Sequence, residues 1–372
     1  MVMDIVLKNG ISVQGDPIEI AIKDKKIYKV DKEINLNAFR IIDLKNSFVS
    51  YGWIDGHVHC DECMNIYYDS PDELGVKQGV CTIVDAGSTG ADNVGRFYEN
   101  TREAKTNVFA LLNISKIGIV KQNELSDSDN IRFDLIKSSI EKYPDFILGL
   151  KARMSSSVVL DNGLIPLEAA KTIQGDLEGI PLMVHIGNGP PKLRDIFELL
   201  DKGDMVTHCF NGKENGILDS NGEVEQFVWD ALKRGVVFDV GHGTDSFSFE
   251  VAEKAFSQCF YCQTVSTDSY QKNRINGPVY NMATMIEKML SVGYSLPNVI
   301  EKVTANTADF YGLSNKGKLI AGFDADITVF DIIKSDKILV DSVDNKRNID
   351  FKIIPKFCVV GGEVYDVDGG GF

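Results

Sequence analysis

Five histidines are present, and four of them stand where a metal ion would be gripped. His57 and His59 lie two apart in Gly-His-Val-His. A β-strand alternates its faces with a period of two, so both imidazoles are expected to point the same way. His185 closes the apolar run Leu182–His185, and His208 closes Val206–His208. Asp268 follows a further run in Val-Ser-Thr-Asp. Neutral imidazole nitrogens with one carboxylate suit a borderline divalent ion such as Zn²⁺. A lone histidine at a strand end is ordinarily a satisfied core or rim residue, and a single His-x-His is weak evidence. The argument rests on all four falling at strand ends together.

Lys151 ends Phe-Ile-Leu-Gly-Leu-Lys and is expected to point into the same place. An ammonium buried there would be costly and would repel cations. Deprotonated, the amine can add CO₂ to form a carbamate, an anionic ligand with two oxygens that could bridge two metals. The other reading is an inward lysine paired with Asp268 or with a substrate carboxylate. Residue chemistry alone leaves both open.

Such residues need a scaffold that brings strand ends together. Apolar runs recur near Val58 and at Thr82–Val84, Val108–Leu112, Ile147–Lys151, Leu182–His185, Val206–His208, Val236–Val240 and Thr264–Ser266. Helical periodicity fills the gaps at Asp134–Tyr143, Leu193–Leu200, Glu225–Arg234 and Asn281–Val292. Eight strands alternating with helices predict an α/β fold, a TIM-like (β/α)₈ barrel with its site at the C-terminal strand ends; a doubly wound open sheet is the alternative. The ends of the chain read differently. Asp4–Leu7, Ile18–Ile22 and Lys26–Val30 are β-rich, as are Ile327–Phe330, Ile349–Ile354 and Lys356–Val360. A small β-sandwich built from residues 1–51 and 317–372 is expected, flanking a metal-dependent barrel over 52–316. Only the Gly369-Gly370-Gly371 tail looks low in complexity.

Bulk properties agree. The 372 residues, 44% hydrophobic, exceed what a barrel of about 250 residues needs. A net charge of −15 argues against nucleic acid or an anionic membrane as partner and leaves a small-molecule substrate. Neither a secretory signal nor a run of 18 apolar residues is seen, and the seven cysteines read as reduced thiols, so a cytoplasmic protein is expected. A homo-oligomer is compatible with this size, but no residue pattern specifies its symmetry.

The order His-Val-His, Lys151, His185, His208, Asp268 resembles the amidohydrolase superfamily, and within it the binuclear, carboxylated-lysine branch of dihydroorotases and hydantoinases. The segment Val-Ser-Tyr-Gly-Trp-Ile-Asp-Gly-His-Val-His is similar to that family's entry motif, with Tyr51 where proline is usual. Gly317-Lys318-Leu319 and Gly322-Phe323-Asp324-Ala325-Asp326-Ile327 resemble its return into the sandwich. The resemblance implies two divalent ions, His57, His59 and Asp268 on the buried one and His185 and His208 on the other, with carboxylated Lys151 between them. It also implies a hydroxide shared by the metals as nucleophile and Asp268 as the catalytic proton carrier. Dihydroorotases place an arginine just beyond His-x-His; here Cys60-Asp61-Glu62 stands instead, which weighs against dihydroorotate. Lys151-Ala-Arg-Met-Ser, His185-Ile-Gly-Asn-Gly-Pro-Pro, His208-Cys-Phe-Asn-Gly-Lys and Gly241-His-Gly-Thr-Asp-Ser-Phe look like a deacetylase-like subgroup. The implied reaction is hydrolysis of an acyl amide or ester of a small, carboxylated molecule. A cyclic amidase or an adenine deaminase on the same framework is the alternative, although mononuclear deaminases normally lack the strand-four lysine.

Other residues are candidates for substrate contact. Arg153 shares Lys151's expected face and suits a carboxylate, or forms a structural ion pair. Asn188 sits on a Gly/Pro-rich loop that serves either the rim or merely a tight turn. His242 is read as a hydrogen-bond partner for substrate or hydroxide, against a structural role. Tyr270, Arg274, Asn276 and Tyr280 lie on a loop that caps the site or is simply exposed. Cys60-x-x-Cys63 and Cys259-x-x-Cys262 are too far apart for a zinc ribbon.

Overall fold

The computed structural model describes residues 1–367, and the triple-glycine tail lies outside them. Both termini share one small β-unit, as expected. Its strands are β1 (Met3–Ser12), β2 (Pro17–Lys23), β3 (Lys26–Asp31), β4 (Ala38–Asp43) and β5 (Phe48–Tyr51). They form one eight-stranded sheet with three C-terminal strands described below. The first half of β1 pairs in parallel with β4 and its last residues with β5, so two strands share one edge of β1. Ile5, Leu7, Ile20, Ile22 and Val49 bury one face; Met3, Val6 and Ala21 bury the other.

The barrel strands are β6 (Trp53–Val58), β7 (Val80–Ala86), β8 (Asn107–Asn113), β9 (Ile147–Met154), β10 (Leu182–Ile186), β11 (Asp204–Thr207) and β12 (Val237–Asp239). All pair in parallel with their neighbours in sequence order. Helices cover them on the outside, so these strands are buried on both faces and largely apolar, as parallel strands buried on both sides are. The four expected helices are present as Phe133–Lys142, Leu193–Glu198, Gln226–Arg234 and Met282–Val292. No helix of the described residues is long and apolar enough to cross a membrane.

The eighth barrel position differs from expectation in kind. Residues 264–269 occupy it and touch both neighbours, but only through single parallel bridges, Asp239 to Thr264 and Val58 to Ser269. Asp268 donates its N–H to the His57 carbonyl at 2.7 Å, and Ser269 accepts from the His59 N–H at 2.8 Å. The run is Thr-Val-Ser-Thr-Asp-Ser, whose short polar side chains bond nearby groups in competition with a ladder. The Asp268 backbone also has a positive φ of 52°, which no regular strand tolerates.

The C-terminal strands are β13 (Ile327–Val340), β14 (Lys346–Val360) and β15 (Glu363–Asp366). The sequence reading divided β14 at Pro355 and ended β13 at Phe330. Instead, the two form one long hairpin with register shifts after Val329 and Lys334. Its far end lies on the barrel's helices. Arg347 forks onto Glu253 with both contacts at 2.6 Å, and fully buried Glu287 accepts the Ile353 N–H at 2.8 Å.

Candidate metal centre

A cavity of about 230 Å³ opens at the C-terminal ends of the barrel strands. His57, His59, Lys151, Arg153, His185 and Asp268 line it, and His208 lies buried just beneath. The Asp268 Oδ1 is 3.3 Å from the Nε2 of His57 and 3.2 Å from that of His59. His57, His208 and Asp268 bring ligand atoms within 4.8 Å of one another, an arrangement that could hold a metal ion. His185 lies beside them, its Nδ1 donating to His208 Nε2 at 2.8 Å.

The proton inventory shows which nitrogens are free. The Thr207 hydroxyl donates its single proton to Asp239 at 2.8 Å, so it accepts from His57 Nδ1 at 3.0 Å. The Ser88 hydroxyl likewise donates to Asp85 at 2.8 Å and accepts from His59 Nδ1 at 2.8 Å. His208 Nδ1 donates to the Gly241 carbonyl at 2.5 Å. Each of these rings therefore carries its proton on Nδ1 and turns a bare Nε2 inward, the tautomer that outer carboxylates and carbonyls enforce on metal-binding histidines. Burial, with Lys151 adding to it at His57, holds the His57 pKa well below its ordinary value; burial brings His208 down to about 3. Burial pushes Asp268 up, but its neighbours His59, His208 and Lys151 outweigh it, leaving the carboxyl below its usual range. This donor set fits a divalent metal.

Backbone conformation keeps the donors close. His208 has φ 73° and Asp268 φ 52°, unusual for side-chain-bearing residues and costly unless the surroundings enforce them. Two glycines after β12 allow the approach. A Cβ at Gly241 would sit 2.1 Å from Thr207 Oγ1, and one at Gly243 would sit 2.3 Å from Asp268 Oδ2. Both also adopt left-handed conformations, with φ 46° and 54°.

Lys151 is fully buried on β9, with Nζ 3.2 Å from His57 Nε2 and 2.9 Å from Met183 Sδ. It makes no ion pair with Asp268 among the described residues. Burial lowers its pKa from 10.5 to about 7, with Arg153 adding to the fall and Asp268 opposing it. As a neutral amine it spends its two N–H bonds on His57 and Met183, and its lone pair stays free.

Of the substrate candidates, the structure brings Arg153, Asn188 and Tyr270 to the cavity. Arg153 is also ion-paired, its Nε 3.3 Å from Oε1 of fully buried Glu124. Asn188 is exposed at the rim, and Tyr270 bonds Thr244 through its hydroxyl at 2.9 Å. Two candidates fall elsewhere. His242 is buried in the wall, Nδ1 donating to the Gly243 carbonyl at 2.7 Å and Nε2 facing Lys288 Nζ at 2.6 Å, so neither nitrogen reaches the cavity. Arg274 turns outward onto Asp69, at 2.6 and 3.0 Å, because the helix Gln271–Asn276 carries it away from the mouth. All seven cysteines are free thiols; Cys60 and Cys262 are buried while Cys63 and Cys259 are exposed. Sequence reasoning missed Tyr67, Lys213 and Asp245 at the mouth, and the carboxylates Asp85 and Asp239 behind the histidines. Lys213 and Asp245 had a local signal, each inside a quoted motif, one running on from His208 and the other containing His242.

A TIM-like barrel with these donors on its strand ends is the architecture of the amidohydrolase superfamily. The deacetylase-like composite domain matches residues 319–366. A deacetylase of Enterococcus faecalis is 52% identical over 365 residues, covering 98% of this chain and 99% of that protein. A crystal structure described as an adenine deaminase is 52% identical with a TM-score of 0.97, covering 98% of this chain and 100% of its own. Another, described as a dihydroorotase, is 33% identical with a TM-score of 0.88, covering 98% and 97%. The chain belongs to the deacetylase-like family of amidohydrolases.

Proposed function

We propose that the protein is a binuclear metal-dependent deacetylase, hydrolysing the acyl amide or ester of a small carboxylated molecule. One observation carries the reading: a fully buried Lys151 without a carboxylate partner among the described residues, its amine among imidazoles whose bare nitrogens face inward. The amine lone pair attacks the carbon of CO₂, one N–H proton leaves to solvent, and a carbamate anion replaces a costly cation. Its two oxygens would add anionic donors to His57, His59 and Asp268 and to His185 and His208, the residues that would hold two divalent ions. Divalent ions held there, most simply Zn²⁺, would lower the pKa of water and polarise the acyl carbonyl. Asp268, ionised and with Oδ1 3.3 and 3.2 Å from the Nε2 atoms of His57 and His59, would take the proton from the attacking water and return it to the leaving nitrogen or oxygen.

The relatives' names point three ways, and the mouth favours acyl hydrolysis. Dihydroorotate would need a cation just past His59, but Cys60 lies in the hydrophobic core and Asp61 turns away to Arg96 at 2.5 Å. Adenine offers no anionic group for the cations at the cavity.

Metal analysis of protein purified without chelators, with ¹³C NMR after incubation in ¹³C-bicarbonate, tests the reading. Two metals per chain, a carbamate resonance lost in Lys151→Ala, and acetate release from acylated acids are expected. One metal, no carbamate and ammonia release from adenine would replace it with a mononuclear deaminase.

A further inference from the structure

A cleft of about 350 Å³ opens at the far end of the barrel, away from the metal centre. Tyr261 and Cys262 lead into the closing segment 264–269, which starts there and reaches the mouth with Asp268 and Ser269. Three rings wall the cleft: Phe256 on the helix Phe249–Ser257, Tyr261 just after it, and Tyr294 beyond Met282–Val292. Phe256 lies 5.2 Å from Tyr261 and 4.8 Å from Tyr294, centroid to centroid, and the two tyrosines are 5.9 Å apart. Tyr261 is 40% exposed, whereas Tyr294 is buried with its hydroxyl accepting the Cys262 N–H at 3.3 Å.

Lys302 ends the helix Leu296–Lys302, lines the same cleft and is only 6% exposed. Its Nζ donates to the Cys262 carbonyl at 2.5 Å and lies 5.6 Å from the centre of the Tyr294 ring. Among the described residues it makes no ion pair and no second hydrogen bond. Asp239, the other charge felt by the Cys262 thiol, is committed to three hydroxyls, and Glu301 on the lysine's own helix is exposed. A carbonyl dipole and a ring face compensate a desolvated ammonium poorly, and a carboxylate brought by a ligand removes that cost.

We infer that this cleft binds a small aromatic carboxylate, with its anion on Lys302 and its ring against Phe256 and Tyr261. Aromatic walls favour a flat apolar body. Three rings alone would equally attract an organic cation, but Lys302 repels one, and a neutral ring would leave the ammonium uncompensated. The site is separate from the metal centre and independent of the hydrolytic reading. Lys302 and Tyr294 both hold Cys262, so an occupant would rest on the lead-in to the segment that carries Asp268.

The test is ¹⁹F NMR of the full chain, as purified, carrying 3-fluorotyrosine, with the Tyr261 resonance assigned by its loss in Tyr261→Phe. That resonance reports on the cleft alone, whatever else a carboxylate binds. Benzoate should shift it saturably, with an affinity at least tenfold above that of benzamide or benzylamine. Lys302→Gln removes the charge but keeps a donor for the Cys262 carbonyl, and it should weaken benzoate at least fivefold. A Tyr261 signal that benzoate leaves unmoved overturns the inference. So does equal binding of benzamide or benzylamine, or a benzoate affinity unchanged in Lys302→Gln. If Lys302→Gln fails to fold, the order of the three ligands on the parent chain still decides.

Discussion

Folding moves the Lys151 ammonium from water into a fully buried position, and its pKa falls from 10.5 to about 7. Between those two values the unfolded chain holds a proton that the folded chain does not. Protein stripped of metal therefore gains stability as pH rises from 7 towards 10.5, by at most about 1.4 kcal/mol per pH unit from this group. Below pH 7 the folded state must carry the buried cation at full cost. Thermal unfolding in chelator at pH 7, 8 and 9 should show Tm rising more steeply in the parent than in Lys151→Met. Identical slopes would mean that the amine is not the group titrating. The same proton would control the proposed carbamate formation, because only the neutral amine has a lone pair to offer CO₂. The metal-ligand candidates were legible because each ends an apolar run, and strand ends converge in a barrel. His242 also ends such a run and still points into the wall, because Lys288 and the Gly243 carbonyl claim its nitrogens. Sequence position gives the strand end but not the rotamer.

At the scale of elements, Asp239 at the end of β12 ties three neighbours together. Its carboxylate accepts from Thr207 on β11 at 2.8 Å, and from Thr264 and Ser266 in the closing segment at 2.8 and 2.6 Å. Asp55 in β6 grips the same segment from the other side, accepting from the Thr267 N–H at 3.0 Å and its hydroxyl at 2.5 Å. Replacing Asp239 with asparagine turns an acceptor into a donor against hydroxyls already committed to donating. Thr207 must then rotate, and His57 loses the partner that fixes its tautomer. Metal affinity in Asp239→Asn, measured by competition with a chelator, should fall about 10–100-fold. An unchanged affinity would show that the hydroxyl relay does not orient His57. None of this was visible in the sequence: the partners lie 25 to 212 residues apart, and aspartates inside apolar runs look the same whether they face hydroxyls or solvent. The long hairpin was hidden for another reason. Pro355 and two register shifts interrupt the period-two pattern that marks a strand.

Across the whole molecule, barrel and terminal sheet are joined by more than apolar contact. Thr328 in β13 accepts the Trp53 N–H at 3.1 Å and donates to the Gly79 carbonyl at 2.7 Å, bridging the two sheets. Asp326 accepts from Asn107 at 2.9 Å and Lys316 at 2.6 Å, and Trp53 packs on Phe330. Separating the two units would strip partners from buried polar groups on both, so they should unfold as one. In Trp229→Phe, which leaves Trp53 as the sole tryptophan, fluorescence and far-UV circular dichroism should report the same urea midpoint. An earlier fluorescence transition would mean that the terminal sheet detaches first.

The segment 264–269 closes the barrel with two bridges and a set of borrowed carboxylates. A hoop fastened this way has a weakest point, and Asp268, the proposed proton carrier, is riveted to it. Loosening Asp55 or Asp239 would let that point gape while the other seven staves stand. The enzyme would then fall silent with its secondary structure nearly whole, its chemistry governed by the clasp and not by the hoop.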